Sequence, residues 1–176
     1  TAGGNISTKN IGGNASIATG GGNIEAGIVS GKVELKSGGG NIELKSAKGK
    51  VEVKTGAGNI ELHDVSGSVN AFTGAGEINI KLMPDDKSKN EIKTSSGNIF
   101  LYISENSKTT IEAKSTYYGS GSWSSDEQTD IISDFNPSET KSSSSKNYKT
   151  FILNGGGSSI NLQTAYGSIE IRKIKK

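Results

Sequence analysis

Reactive chemistry has few places to sit in this chain. Its 176 residues include one histidine, His63, one arginine, Arg172, and no cysteine. Thiol catalysis, disulfide frameworks and cysteine metal sites are therefore excluded. Paired acids at Asp85-Asp86 and Asp126-Glu127 could form the carboxylate couple of glycoside hydrolysis, but both stand in polar stretches and read as solvated loop charge. Tyr117, Tyr118 and Trp123, set among glycines and serines, could build a stacking platform for a sugar ring or a protein partner. The competing reading of these aromatics is a wider core with loops covering its open end. No catalytic, cofactor-binding or metal-ligating residue is assigned. With 20 basic and 18 acidic residues the net charge is +2, which gives no overall pull toward nucleic acid or an anionic membrane. No stretch is apolar enough for membrane insertion and no signal segment is visible; the native precursor is expected to continue upstream of Thr1, its signal segment removed.

What positions these residues is a nine-residue beat. Glycine recurs at Gly4, Gly13, Gly22, Gly31, Gly40, Gly49, Gly58, Gly67 and Gly76. Two corner types alternate along it. One reads Thr19-Gly20-Gly21-Gly22, Ser37-Gly38-Gly39-Gly40 and Thr55-Gly56-Ala57-Gly58; the other carries Ile11, Val29, Ala47 or Val65 two places before its glycine. A glycine corner tolerates the positive φ of a sharp bend, and the second corner can tuck its apolar side chain inside. The period is thus about 18 residues, two strands and two corners. A 27-residue, three-stranded coil fits a plain nonapeptide but leaves the alternation unexplained.

Between corners, Ile24/Ala26, Val33/Leu35, Ile42/Leu44, Val51/Val53, Ile60/Leu62 and Ile78/Ile80 share one side, the period-two pattern of strands. One coil cannot bury that face; stacking at about 4.8 Å per rung lets equivalent strands pair in parallel. Crossovers of this kind are overwhelmingly right-handed. The predicted fold is all-β, a right-handed single-stranded parallel β-helix, or β-solenoid. His63 takes the outward position equivalent to Lys45 and Lys81 and reads as a solvated face residue. Stacked Glu25, Glu43 and Glu61 with Lys36 and Lys54 make a mixed charged surface or, functionally, a grating for a charged polymer such as cell-wall glycan. Asn23, Asn41 and Asn59 are expected to bridge side-chain amides between rungs. Thr19, Ser37, Thr55 and Thr73 form one hydroxyl column, too narrow for a flat ice-binding array.

The chain reads as a single solenoid domain, 1–176, with regular rungs over 1–82. A polar insertion over 83–96 adds three residues before Ser96-Gly97-Asn98-Ile99 recovers the corner. Residues 97–176 form degenerate rungs, with a long excursion at 115–150 and a return at Ser159-Ile160-Asn161-Leu162 and Ser168-Ile169-Glu170-Ile171. Phe72 is the only aromatic before residue 83 while nine follow from Phe100, so the second half must be built differently.

The Gly-Asn-Ile-Glu-Leu and Gly-Lys-Val-Glu-Val units, Ser96-Gly97-Asn98-Ile99 and the closing Gly-Ser-Ile-Glu-Ile at 167–171 resemble the bacterial adhesin-like family of β-strand-repeat domains. That resemblance implies a secreted, periplasmic or cell-surface protein and carries no catalytic residues. Calcium β-rolls are similar in period, but their ligand aspartate is replaced here by aliphatic Ile in Gly-Gly-Gly-Asn-Ile-Glu, so no repeated calcium site is expected. A single ion at Asp85, Asp86 or the acids of 126–134 stays open. The expected function is a noncatalytic extracellular scaffold that binds glycan or a host or cell-surface protein. The alternative is a carbohydrate-active β-helix enzyme, lyase or glycosidase, under the 83–96 and 115–150 loops. The N-terminal solenoid edge is expected either to pair with another copy or to continue upstream, with Lys173, Lys175 and Lys176 guarding the opposite edge.

Overall fold

The computed structural model of the chain describes residues 1–116, 130–143 and 145–174. In chain order the strands are β1 (Ile6–Thr8), β2 (Ala15–Thr19), β3 (Ile24–Val29), β4 (Val33–Ser37), β5 (Ile42–Lys48), β6 (Val51–Ala57), β7 (Ile60–Gly67), β8 (Val69–Ala75), β9 (Ile78–Pro84), β10 (Lys89–Ser96), β11 (Ile99–Ile103), β12 (Thr109–Thr116), β13 (Ile131–Ser133), β14 (Glu139–Ser143), β15 (Lys146–Leu153), β16 (Ser158–Tyr166) and β17 (Ile169–Lys173). No helix occurs among the described residues. From β1 to β14 successive strands go alternately to two sheets that share one aliphatic core, and β15 and β16 then stay in the same sheet as β14. The β-solenoid-like architecture expected from the repeat is therefore present.

Parallel pairing puts like residues over like. In the first sheet Ile6, Ile24, Ile42, Ile60, Ile78, Ile99, Ile169 and Ile131 form a single column. Partners such as Ile24 and Ile42, or Val33 and Val51, are eighteen residues apart. Val29, Ala47 and Val65 of the second corner are fully buried, as their apolar character requires. The ladders at the glycine corners are less simple than sequence suggests. Each Asn Oδ1 accepts the backbone N–H of the next rung, from Asn5 to Asn23, Asn23 to Asn41, Asn41 to Asn59 and Asn59 to Glu77, all at 2.8–2.9 Å. Amide-to-amide bridging is thus corrected. The hydroxyl column lies inside: Thr19, Ser37, Thr55 and Thr73 are buried and donate to the carbonyls of Gly4, Gly22, Gly40 and Gly58. Asparagine ties each corner to the following rung, and the hydroxyl ties it to the preceding one.

Positive φ is only part of why glycine is required. Gly58 and Gly76 have φ of 152° and 145°, but no left-handed φ is found at Gly22 or Gly40. A Cβ on Gly40 would stand 2.1 Å from the Gly22 carbonyl oxygen. Close stacking of backbone on backbone is the stronger constraint.

The inserted residues are confined to a turn at Asp85–Ser88, since Met83 and Pro84 finish β9 and Lys89 opens β10. Lys87 takes φ 64° there. Beyond the turn the register lengthens to twenty-one, Ile92 pairing with Ala71. Asn90, expected in the polar insertion, is instead 3% exposed at the inward position held by Val51 and Val69 in earlier rungs. Its Oδ1 accepts the Val69 N–H at 2.9 Å, and its Nδ2 donates to Ser88 Oγ and the Ser159 carbonyl. It replaces the carbonyl that Lys50 and Ser68 supply to Val33 and Val51 two rungs and one rung earlier. Asn90→Ala would strand a buried N–H and a carbonyl, so thermal unfolding should show a loss of about 2–4 kcal/mol; a loss below about 0.5 kcal/mol would refute this bridging role.

The end of the stack is where expectation and structure part. β12 does not pair with β10; β16 lies between them, in parallel register with both. Likewise β17 lies between β11 and β13. The chain leaves one rung vacant, builds the next, and returns to fill the gap. Lys173 therefore ends a strand paired on both sides and guards no edge, while Lys175 and Lys176 lie outside the described residues. Within the stretch read as an excursion, 131–150 carries β13, β14 and the start of β15. β15 adds antiparallel to β12 and β14 to β15, giving sheet orders β1-β3-β5-β7-β9-β11-β17-β13 and β14-β15-β12-β16-β10-β8-β6-β4-β2. Phe151, opposite Ile111, extends the core, and Lys149 Nζ reaches the Ile131 carbonyl at 2.7 Å across to the other sheet. The outer strand β14 is exposed throughout and carries Glu139 and Lys141, charges that disfavour further pairing.

The return path needs a tight reversal. Asn154, Gly155, Gly156 and Gly157 all have positive φ, from 50° to 152°, and carry the chain past the start of β12. Asn154 Nδ2 anchors them by donating to the Glu105 and Ser107 carbonyls.

Candidate binding surface

Strand alternation exports one side chain in two, and parallel register lines those side chains up across each sheet. On the nine-stranded sheet one outward row reads Glu34, Glu52, Asn70, Glu91, Asn161, Glu112. The next reads Lys36, Lys54, Phe72, Lys93, Gln163, Lys114. Three of these four lysines fold onto the glutamate two residues back on their own strand: Lys36 on Glu34, Lys54 on Glu52 at 2.8 Å, and Lys93 on Glu91 at 2.5 Å. Hydrogen bonding to Lys54, reinforced by its charge, holds the Glu52 carboxyl below its ordinary value, and Lys36 does the same for Glu34. These pairs are exposed, so they contribute surface order more than stability.

The rows are interrupted at β16, by Asn161 and Gln163, and at β8, where an aromatic ring enters. Where β6 is preceded by Lys50 and carries Glu52 and Lys54, the matching positions here are Ser68, Asn70 and Phe72. Phe72 is 39% exposed although it occupies a lysine position. A groove of about 360 Å³ lies along this strand, lined by Lys50, Ser68, Asn70, Lys89, Glu91 and Asn161 among others. A second, of about 480 Å³, continues it beneath the Asp85–Ser88 turn and shares Lys50, Ser68 and Lys89.

The other sheet carries the rest of the chemistry-bearing candidates. His63 points outward as expected and is half-buried, with Nε2 at 3.6 Å from both Glu43 Oε1 and Glu61 Oε1. A β-bulge shifts the register between Leu62 and Val65, opposite β9, and turns Asp64 to meet Lys81 at 2.7 Å. Among the described residues no group of three or more His, Asp or Glu is placed to hold a metal ion. Arg172 is a staple between strands: it reaches Asp134 Oδ1 at 3.1 Å and Glu170 Oε2 at 2.7 Å. The Lys173 backbone N–H and then the Arg172 guanidinium hold the Asp134 carboxyl below its usual range.

Asp85 and Asp86 are exposed at the rim of the 480 Å³ groove. Tyr117, Tyr118, Trp123, Asp126 and Glu127 lie outside the described residues. The groove along β8 was not singled out from sequence, although its signal was legible: Ser68-Val69-Asn70-Ala71-Phe72 departs at every outward position from Lys50-Val51-Glu52-Val53-Lys54.

No helix among the described residues is long and apolar enough to cross a membrane. No curated protein and no solved structure matches the chain. A family model described as Toastrack DUF4097 matches residues 1–172. Nearly the whole two-sheet stack, with its inserted final rung, falls within that match, and the chain belongs to the Toastrack DUF4097 family.

Proposed function

We propose that this domain is a noncatalytic binding scaffold, displayed outside the cytoplasm, that holds a glycan or a cell-surface protein on the outer face of its nine-stranded sheet. The observation that carries this reading is the interruption of the Lys and Glu rows at β8, where a neutral strip with an exposed ring lies beside two grooves. The sequence resemblance to adhesin-like surface domains supports the location. The rigid stack supports the scaffold role, because outward side chains on paired strands are held at fixed spacing. In this reading the coil is right-handed with about 18 residues in its N-terminal half, the hand favoured by parallel crossovers. Self-association through β1 and β2 belongs to the same proposal, since each pairs with a neighbouring strand on one side only.

The test is a glycan array followed by mass analysis of every bound oligosaccharide after prolonged incubation. Binding with no change in chain length is the expected result. Shortened or unsaturated products would overturn the noncatalytic reading in favour of a lyase or glycosidase.

A further inference from the structure

We propose that the outward side of β8, with its approach at Ser68, is a binding site for a short acidic oligosaccharide. The ring of Phe72 would stack one sugar, and an acidic group would lie between Lys50 and Lys89. This rests on the scaffold reading above and names the ligand class it would hold.

Three outward groups stand in line along one strand: the Ser68 hydroxyl, the Asn70 amide and the Phe72 ring. At about 3.3 Å per residue they span roughly 13 Å, the length of two or three sugar rings. The flanking strands make matching walls. On one side stand Lys50, Glu52 and Lys54; on the other stand Lys89, Glu91 and Lys93. The walls are two strand spacings apart, about 9.6 Å, wide enough for one extended chain. At the Phe72 end both lysines are folded onto Glu52 and Glu91, so the aromatic face stays open and its walls are nearly neutral. At the Ser68 end Lys50 and Lys89 are exposed, and neither is within ion-pair distance of an acid among the described residues. The acids nearby are Glu52 and Glu91, paired with Lys54 and Lys93, and Asp85 and Asp86 on the turn above.

That polarity selects the ligand. Two lysines rooted on strands about 9.6 Å apart, with flexible side chains that can converge over the serine between them, suit a single carboxylate or sulfate held by charge-assisted hydrogen bonds. A ring face, an amide and a hydroxyl suit the alternating apolar and hydroxylated surfaces of a pyranose chain. Strand addition by a peptide is excluded on this face because the β8 backbone is already paired with β6 and β10. A nucleic acid strand would need a cation for the phosphate of every nucleotide, whereas Lys54 and Lys93 are already paired with Glu52 and Glu91.

The experiment is calorimetric titration of the full chain with tetragalacturonate, its methyl ester, a sulfated chondroitin tetrasaccharide, a hexaglutamate peptide and a thymidine tetranucleotide. At least one acidic saccharide should bind, the methyl ester at least tenfold more weakly than the free galacturonate if the carboxylate is the acid read. Phe72→Ala and the double variant Lys50→Gln/Lys89→Gln should each weaken that binding tenfold or more. Phe72→Tyr should restore it, and Phe100→Ala on the opposite sheet should leave it unchanged. Phe72, Lys50 and Lys89 are exposed, so unaltered thermal unfolding will separate lost binding from lost fold. Binding that ignores Phe72→Ala would overturn this site and leave the scaffold reading standing. Failure of both acidic saccharides, or equal binding of the peptide or tetranucleotide, would overturn the ligand class. If an array finds no ligand at all, the scaffold reading falls with it.

Discussion

A chain ending at Leu153 will not fold cooperatively, although it retains every residue of the regular repeats. The deleted segment supplies β16 and β17, each of which is an interior strand paired on both sides. Ile160, Leu162, Ile169 and Ile171 are at most 1% exposed, and burying four such side chains contributes about 6–12 kcal/mol. That is comparable to the whole stability of an ordinary domain, about 5–15 kcal/mol. The loss is not limited to packing. β10 and β12 would each face a vacant ladder, and Thr94, Thr109 and Ser115 would stand beside it; Thr109 and Ser115 would lose the carbonyls of Ser158 and Gly167. The truncation also removes Asn154, whose side chain ties down the five-residue link between β11 and β12 through the Glu105 and Ser107 carbonyls, so β12 loses its mooring as well as its neighbour. Far-UV circular dichroism during heating should show a cooperative transition for the full chain and none for the truncated one. A truncated chain that melts cooperatively within a few degrees of the full one would show that the inserted rung is dispensable.

Gly40→Ala should destabilise the protein by about 3 kcal/mol or more, whereas Gly39→Ala, one residue away, should change stability by less than about 1 kcal/mol. The two lie in the same corner, and neither has a left-handed φ, so backbone preference does not separate them. Space does. A Cβ on Gly40 would meet the Gly22 carbonyl oxygen at 2.1 Å and its carbon at 2.4 Å. The contacted atoms are backbone of the adjacent rung, itself fixed by the Ser37 hydroxyl bond to the same carbonyl, so neither side can yield without breaking the stack. A Cβ on Gly39 would meet only the Ala57 oxygen, at 4.0 Å. Urea unfolding of the two variants measures the difference. Equal losses would mean that chain flexibility, and not the approach of successive corners, explains the glycine beat.

The glycine beat and the alternation of Ile42, Leu44, Val51 and Val53 were enough to foresee paired parallel strands around an aliphatic core, because each rung repeats the same local chemistry. The order of the last rungs was not legible. Thr110-Ile111-Glu112-Ala113 and Ser159-Ile160-Asn161-Leu162 have nearly the same pattern, so nothing local says which of them follows β10. That choice is made by the short link after β11, by the reversal at 154–157 and by the hairpin that occupies the far side of β12. Asn90 was misplaced for a related reason: a buried asparagine looks like loop until its three hydrogen bonds are known. The corner asparagines were read as a ladder, but their true acceptor role depends on which backbone N–H each rung leaves free. On the surface, the outward location of His63 followed from strand period. The β8 strip was equally available in the letters, but two-dimensional neighbours become visible only when registers place Ser68, Asn70 and Phe72 between two Lys-Glu-Lys walls.

The central claim is that the outer face of the nine-stranded sheet binds an acidic saccharide without altering it. Amide and side-chain NMR of the labelled full chain, titrated with tetragalacturonate or the sulfated tetrasaccharide, addresses this most directly. Saturable shifts are expected at Ser68, Asn70 and Phe72, with smaller ones at Lys50 and Lys89 and ligand signals that persist unchanged for days. Shifts centred on His63 and Lys81 of the other sheet, or the appearance of cleaved sugar, would contradict it.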